Sequence, residues 1–189
     1  MPMKAKAILI AIFLSCAGYT AGAEQKTQIK DSKSGYVLTL DTSQVWQTDN
    51  QSGRDGITAC AVAPEATEPF ATICVKTLPQ VHKKALSDTD YASELIRGLL
   101  DGLCKPFQCE ASPADKSEPK THGALSGWQL TTNLELAAYK NAGLSGTVFF
   151  ASVSPAGQLQ LFSLHTARDQ TDRYYDLLTS AISSIDYSK

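Results

Sequence analysis

The sequence has few residues of the types that carry enzyme chemistry. Among its 189 residues are three histidines, five cysteines and two tryptophans, and the formal net charge is slightly negative. Neither an H-E-x-x-H nor a G-x-S-x-G motif occurs. These absences argue against the zinc hydrolases and serine hydrolases that carry such motifs. The weak negative charge also argues against a nucleic-acid-binding or anionic-lipid-binding surface, because both need clustered basic residues.

The histidines do not stand at the spacing of metal ligands. His82 precedes two lysines in a polar segment, His122 lies between a proline- and lysine-containing stretch and a glycine, and His165 ends an apolar run. Residues 49–56 suggest a calcium loop, but Cys60 stands where the twelfth-position glutamate is required. We therefore predict no catalytic residue, no metal site and no cofactor.

The first 23 residues have the organisation of a secretory signal peptide. Two lysines precede an apolar run over residues 7–17, and an Ala-Gly-Ala sequence ends at Ala23, directly before Glu24. The run is about 11 residues long, whereas a bilayer span needs ~20. We expect residues 1–23 to be removed between Ala23 and Glu24, which gives an exported protein, periplasmic or secreted.

Two alternatives to simple cleavage stay open. The leader would act as an anchor if it were not cleaved. Lipidation at Cys16 would tether the mature chain to a membrane, although Phe13-Leu14-Ser15 matches the usual sequence before a lipidated cysteine poorly. With the leader removed, 15 basic and 19 acidic side chains remain, so the mature net charge is about −4. Residues 24–189 are long enough to form one domain with its own core.

The four cysteines that follow the leader are predicted to form two structural disulfides. An even number in an oxidising compartment favours pairing, and three pairings are open. We favour Cys60–Cys74 and Cys104–Cys109. The first would link two short β-like runs and would stabilise the fold by roughly 3 kcal/mol. The second would close a tight turn after a helix, and its C-x4-C spacing differs from the C-x-x-C of redox and zinc motifs.

The hydrophobic periodicity predicts an α+β domain. Runs that alternate between apolar and polar residues indicate strands, and apolar residues at helical spacing indicate helices. Residues 41–56, which include Trp46 as a buried anchor, and residues 111–123 are interpreted as connections. An antiparallel sheet covered by two helices, at least partly on opposite faces, follows from this order. The predicted strands are residues 36–40, 57–63, 70–76, 128–136, 144–154 and 158–165, and the predicted helices are residues 87–103 and 169–185.

Two segments resemble the PsbP/DcrB-like proteins. Gly35-Tyr36-Val-Leu-Thr-Leu40, followed by Trp46, resembles the opening strand and tryptophan of that family, and the ending from Tyr174 to Ile185 resembles its last helix. Asp41-Thr-Ser-Gln replaces a more usual Leu-Pro phrase, and two disulfides are not a hallmark of the family. The resemblance implies an α/β/α sandwich around an antiparallel sheet. It also implies protein binding without a shared catalytic residue.

Phe107 is the strongest candidate for a partner-binding residue. It follows Lys105 and Pro106 in the segment between Cys104 and Cys109, where little core is expected. A bulky side chain on a stapled loop is a suitable anchor for a partner protein. The alternative is that Phe107 packs against the neighbouring helix.

These features favour an exported, non-enzymatic protein-binding module. Its partner would be another envelope or secreted protein, and its role would be that of an envelope accessory protein or of an inhibitor or immunity protein for a secreted effector. No nucleic acid and no membrane span after cleavage are expected. The alternatives are a carrier of a small ligand or lipid and an enzyme whose site is assembled from scattered residues.

Overall fold

A computed structural model describes most of the predicted mature chain. The predicted signal peptide and its cleavage site between Ala23 and Glu24 lie outside the described residues. The same holds for His82 and Cys109. The described residues are 25–31, 34–53, 56–64, 70–78, 89–107, 117–133 and 144–187.

Seven strands form one antiparallel sheet, in the order β3-β4-β5-β9-β8-β7-β6. Every neighbouring pair is antiparallel. Strands β5, β9 and β8 are central, and their alternate residues are mainly Ile, Val, Phe and Leu. The strands are β3 Gln47–Gly53, β4 Gly56–Val62, β5 Ala71–Leu78, β6 Glu118–His122, β7 Leu125–Asn133, β8 Leu144–Val153 and β9 Leu159–Ala167.

A two-stranded hairpin and one helix cover the first face of this sheet. The hairpin consists of β1, Gln25–Asp31, and β2, Tyr36–Thr42. Strand β1 contacts β3 and β4, and β2 contacts helix α2, Thr171–Ser183. The hairpin, α2 and the inward side chains of the sheet share one buried apolar cluster. Its largest members are Tyr36, Trp46, Phe150, Phe162 and Tyr174.

Helix α1, Thr89–Phe107, lies over the second face. It contacts β7 and β8, and it buries Ala92, Ile96 and Leu100 outside the cluster of the first face. Successive side chains of a strand point to opposite faces. Because Phe150 belongs to the first cluster, its neighbour Phe149 faces α1. The predicted α+β class, with an antiparallel sheet and two helices, is confirmed.

One of the two predicted disulfides is present among the described residues. Cys60 and Cys74 are directly opposed in β4 and β5, and their sulfurs are bonded. Such bonds are typical of exported proteins. The Cys104–Cys109 bond stays a prediction, because Cys109 and the side chain of Cys104 lie outside the described residues.

The predicted end of the first helix was wrong. The prediction ended it at Leu103, the last of the apolar residues that recur at helical spacing. The helix continues through Phe107. Pro106 is therefore the penultimate residue of α1, and the helix ends one residue after it. Lys105, Pro106 and Phe107 belong to the last helical turn and not to a separate tight turn.

Three strands were missed in the sequence, and each lies at an edge or in the small hairpin. Strand β3 falls within residues 41–56 and β6 within residues 111–123, both interpreted as connections. Each is the last strand at one side of the described sheet. Edge strands pair on one side and keep polar side chains in solvent, so they lack a strong apolar alternation. Strand β1 has only one apolar residue, Ile29.

Candidate functional site

Polar side chains gather at both ends of the β1–β2 hairpin. At the turn end, Asp31 pairs with Tyr36, and at the other end Gln25 pairs with Thr42. We call the first group the closed site and the second the open cleft. The closed site consists of Asp31, Tyr36, Thr77, Gln160 and Tyr187. The open cleft is lined by Asp41, Thr42, Ser43, Trp46, Arg173, Tyr174 and Leu177.

The closed site lies between the hairpin and the central strands. Thr77 of β5 and Gln160 of β9 are direct cross-strand partners on the face that the hairpin covers. Tyr36, Thr77 and Gln160 are all at least 95% buried. Within the described part of the chain, three of their polar atoms have no hydrogen-bond partner: Tyr36 OH, Thr77 Oγ1 and Gln160 Nε2.

The segment after α2 covers the closed site. Asp186 and Val37 exchange two backbone hydrogen bonds, of 2.7 and 2.9 Å. This pairing brings the next residue, Tyr187, over the sheet, where its hydroxyl donates to Gln160 Oε1 at 2.5 Å. The C-terminal segment thus seals the polar atoms at this end of the hairpin.

The environment of Tyr36 keeps its phenol protonated. Burial raises the pKa of Tyr36 above its ordinary value, and the nearby Asp31 carboxyl raises it further. Thr77 lies close enough to lower that pKa slightly, although the two hydroxyls do not meet the geometry of a hydrogen bond. An unsatisfied buried polar group costs about 1–3 kcal/mol. In folded proteins such buried polar groups are commonly hydrogen-bonded to ordered water.

The open cleft has a volume of about 170 Å³ and lies between the end of β2 and the first turns of α2. The backbone N–H of Trp46 donates to Thr27 Oγ1 at 2.8 Å, which fixes the residue against β1. Its ring packs edge-on against Tyr174, with centroids 5.6 Å apart. Although Trp46 is 1% exposed, its indole Nε1–H has no acceptor among the residues that the structure describes.

Charges of both signs border the open cleft. The Arg173 guanidinium carbon lies 5.1 Å from the centre of the Tyr174 ring, close enough for a cation–π contact. On the hairpin side, Asp41 lies 3.9 Å from Lys26 Nζ. The Thr42 hydroxyl donates to the Gln44 carbonyl at 2.5 Å, just after the end of β2. An indole side chain, Trp46, and a guanidinium side chain, Arg173, thus line the same cleft.

A second depression follows the β6–β7 hairpin at the edge of the sheet. It has a volume of about 410 Å³ and opens broadly to solvent. Gly123 adopts φ 60° in the two-residue turn of this hairpin, a conformation that favours glycine. We call the depression the edge groove. It is lined by Pro119, Lys120, Thr121, Ser126, Gly127 and Trp128.

His122 is the last residue of β6 and lies on the inner side of that hairpin, whereas the sequence analysis interpreted residues 111–123 as a connection. Its Nε2 lies 3.1 Å from Gln129 Oε1, which also accepts a 3.2 Å hydrogen bond from the Tyr175 hydroxyl. Its ring packs edge-on against the Phe150 ring, with centroids 4.7 Å apart. These contacts join β6 and β7 to α2, so they explain His122 as a structural residue.

His165 is a second histidine with a structural explanation. Its Nδ1 lies 3.3 Å from Thr147 Oγ1, and its ring packs edge-on against Phe149. The side chain keeps some solvent contact, but burial lowers its pKa to about 4. It is therefore neutral at pH 7. In the described residues, no three His, Cys, Asp or Glu side chains are placed to hold a metal ion.

The structure gives only the backbone of the predicted partner-binding residues. Lys105, Pro106 and Phe107 form the last turn of α1, and their side chains lie outside the described residues. Trp46 was recognised in the sequence as a buried anchor, but its contact with Tyr174 depends on packing between distant segments. None of the described helices is long and apolar enough to cross a membrane.

The fold is similar to that of a solved cyanobacterial protein. No family model matches the sequence, and no curated protein does. The solution structure of cyanobacterial PsbP (CyanoP) from Synechocystis sp. PCC 6803 superimposes with a TM-score of 0.56. The match covers 91% of this chain and 96% of that chain, at 17% sequence identity. The resemblance seen at Tyr36 and Trp46 is thereby confirmed at the level of architecture: the chain has a PsbP-like fold.

Proposed function

We propose that the chain is an exported, non-enzymatic module that binds another envelope or secreted protein through the edge groove. The single observation that carries this proposal is the groove itself, a broad surface beside an edge strand. The Cys60–Cys74 bond and the signal-like N-terminus support export. Since a fold does not determine a function, the PsbP-like architecture adds no substrate or partner by itself.

The edge groove suits an extended segment of a partner. Strand β6 is paired on one side, with β7, among the described strands. Edge strands are sites where a partner chain adds main-chain hydrogen bonds, and neighbouring depressions select its side chains. Trp128 and Pro119, which are cross-strand partners, supply apolar and rigid surface.

Polar groups at the rim would set the orientation of the partner. Lys120 Nζ lies 3.0 Å from the Glu118 carboxylate, and both side chains are substantially exposed. Pro119 has no backbone N–H, so it limits pairing at its own position. The groove therefore favours a short, specific contact over continuous strand addition along β6.

Site-specific photo-crosslinking tests this proposal. A photoreactive residue replaces Thr121, which is exposed and lines the groove, and a control replaces Gln28, which is exposed on β1. We expect an adduct with an envelope or secreted protein from position 121 and none from position 28. Lys120→Glu should reduce the adduct, whereas Lys30→Glu on β1 should not. Equal adducts from both positions, or none from either, would contradict the proposal.

The identity of the crosslinked protein distinguishes two versions of this function. An inhibitor or immunity protein would capture a secreted effector and block its activity at a 1:1 ratio. An envelope accessory protein would capture a resident envelope component without such inhibition. Mass spectrometry of the adduct followed by an activity assay separates the two.

A carrier of a small ligand is the second candidate function, and one observation favours it. Trp46 lines the open cleft, and the described residues provide no acceptor for its buried Nε1–H. A cleft of about 170 Å³ suits a small polar molecule better than a lipid chain.

A further inference from the structure

We propose that the open cleft binds a carboxylate group, which accepts a hydrogen bond from Trp46 Nε1 and pairs with Arg173. The proposal is independent of the edge groove, because the cleft lies at β2 and α2 and the groove at β6 and β7. It rests on three features of the lining: the Trp46 Nε1–H without an acceptor among the described residues, the Arg173 guanidinium beside the Tyr174 ring, and the Asp41 carboxylate.

The orphaned donor fixes the chemical type of the missing partner. An indole Nε1–H donates and cannot accept, so it requires an acceptor atom. Most buried polar side-chain atoms in proteins have a partner. Trp46 is 1% exposed and borders the cleft, and the described residues offer its Nε1 no acceptor. An acceptor atom of a ligand in the cleft would satisfy it.

The cation favours an anionic acceptor over a neutral one. Arg173 is in the first turn of α2 and lines the cleft, and its guanidinium carbon lies 5.1 Å from the centre of the Tyr174 ring. A guanidinium presents its N–H groups in a planar fork that matches the two oxygens of a carboxylate. One oxygen would face Arg173 and the other Trp46.

The acid in the lining limits the charge of the ligand. Asp41 borders the same cleft, and its contact with Lys26, at 3.9 Å, is long and exposed. Such a pair neutralises Asp41 only in part. A multiply charged phosphate would therefore be repelled more strongly than a singly charged carboxylate, which we regard as the matching group.

Two sources could supply this carboxylate, and the experiment separates them. A free small acid, such as acetate, fits the volume of about 170 Å³. The C-terminus or an acidic side chain of a peptide offers the same group at the end of a longer chain. Acetate, an acetylated tripeptide with a free C-terminus and the same tripeptide as its C-terminal amide serve as probes.

The chain contains two tryptophans, so the indole N–H groups give a simple readout. In the ¹⁵N-labelled mature protein, the two indole signals are assigned with Trp46→Phe and Trp128→Phe. Titration with acetate against sodium chloride at equal ionic strength should move the Trp46 signal downfield and leave Trp128 in place. Acetamide should move it far less.

Variants and probes then test the roles of the named groups. Arg173→Gln should weaken acetate binding by about 10-fold, since it removes a charged hydrogen-bond partner. Arg97→Gln, an exposed change on α1, should leave binding unchanged. Thermal unfolding of both variants checks that they fold. Binding of the free-acid peptide alone would assign the site to a protein carboxylate, and binding of acetate alone would assign it to a free acid.

Four outcomes would overturn the proposal. The first is a Trp46 signal that neither carboxylate moves, and the second is an equal shift with chloride. The third is an acetamide shift as large as that with acetate, which would remove the role of charge. The fourth is unchanged binding in folded Arg173→Gln, which would show that the guanidinium is not part of the site.

Discussion

At the turn end of the β1–β2 hairpin Tyr36 lies beneath Tyr187, whereas at the opposite end Trp46 borders an open cleft. Both aromatic side chains are 1% exposed, and both carry a polar atom that the described residues leave without a hydrogen-bond partner. At the closed site, two further atoms share this condition, on Thr77 and Gln160. At the open cleft, a guanidinium stands nearby instead.

The difference lies in what can reach each end. A buried group that is sealed from larger molecules can be satisfied only by water, and that water then contributes to the stability of the fold. A buried group beside a cleft can be satisfied by an exchanging ligand. The closed site is therefore expected to be structural, and the open cleft to bind.

The free energy of unfolding should fall in acid because of His165, which lies outside both ends of the hairpin. The pKa of His165 is lowered to about 4 in the folded protein, below the value of about 6.5 in the unfolded chain. The unfolded chain therefore binds the proton more readily between these values. Stability should fall as the pH is lowered from about 6.5 to 4, by on the order of 2–3 kcal/mol.

Urea unfolding at several pH values measures this loss, and His165→Gln is the matched variant. Its stability should decline less over the same range, although the carboxylates contribute to both proteins. Parallel curves for the two proteins would refute this explanation. Comparisons between the two ends of the hairpin are best made above pH 7, where His165 is neutral in both states.

Removal of the Tyr187 side chain, which covers the closed site, should lower the stability of the protein. Tyr187→Ala loses a hydrogen bond to Gln160 and the packing of a half-buried ring, so we expect a destabilisation of about 2 kcal/mol. Leu177→Ala at the rim of the open cleft is the comparison and should cost about 1 kcal/mol. Urea unfolding measures both changes. A larger destabilisation from Leu177→Ala than from Tyr187→Ala would contradict the structural role assigned to the closed site.

The closed site could be anticipated from the sequence only in part. Tyr36 was noted in the family resemblance. Thr77 and Gln160 stand at inward positions of their strands, in register with Val75 and Phe162. A polar residue at an apolar position of an alternating strand is a signal that sequence reasoning could have used, but it does not reveal that two such residues are opposed across β5 and β9.

The open cleft was less accessible to prediction. Trp46 was identified as a buried anchor, yet Arg173 lies in a helix that is 127 positions further along the chain. Their proximity depends on how α2 packs against β2, which periodicity does not determine. By contrast, the Cys60–Cys74 bond was predictable because the two strands are close in sequence and pair in register.

Replacement of the Thr77 hydroxyl tests whether the closed site holds water. Thr77→Val keeps the shape of the side chain and removes the polar atom. If water bridges Thr77 to its neighbours, the change should destabilise the protein by about 1 kcal/mol, because the water loses a partner. A dry site would respond with unchanged or increased stability. Urea unfolding of this variant gives the sign.

A ligand should stabilise the protein through the open cleft alone. Acetate at ten times its dissociation constant should add about 1.4 kcal/mol to the free energy of unfolding. Tyr187→Phe, which removes a hydroxyl at the closed site, should retain this gain, whereas Arg173→Gln should lose most of it at the same acetate concentration. Thermal unfolding with and without acetate measures these differences. Loss of the gain in Tyr187→Phe would show that the two ends are not independent.

A high-resolution crystal structure of the mature protein, grown with acetate and again with chloride, tests both ends at once. We predict ordered water in contact with Tyr36, Thr77 and Gln160 in both crystals. We also predict an acetate oxygen within about 3.2 Å of Trp46 Nε1, a normal N–H···O distance, in the first crystal only. A dry closed site, together with a protein acceptor on Trp46 Nε1, would contradict the distinction between a structural end and a binding end of the hairpin.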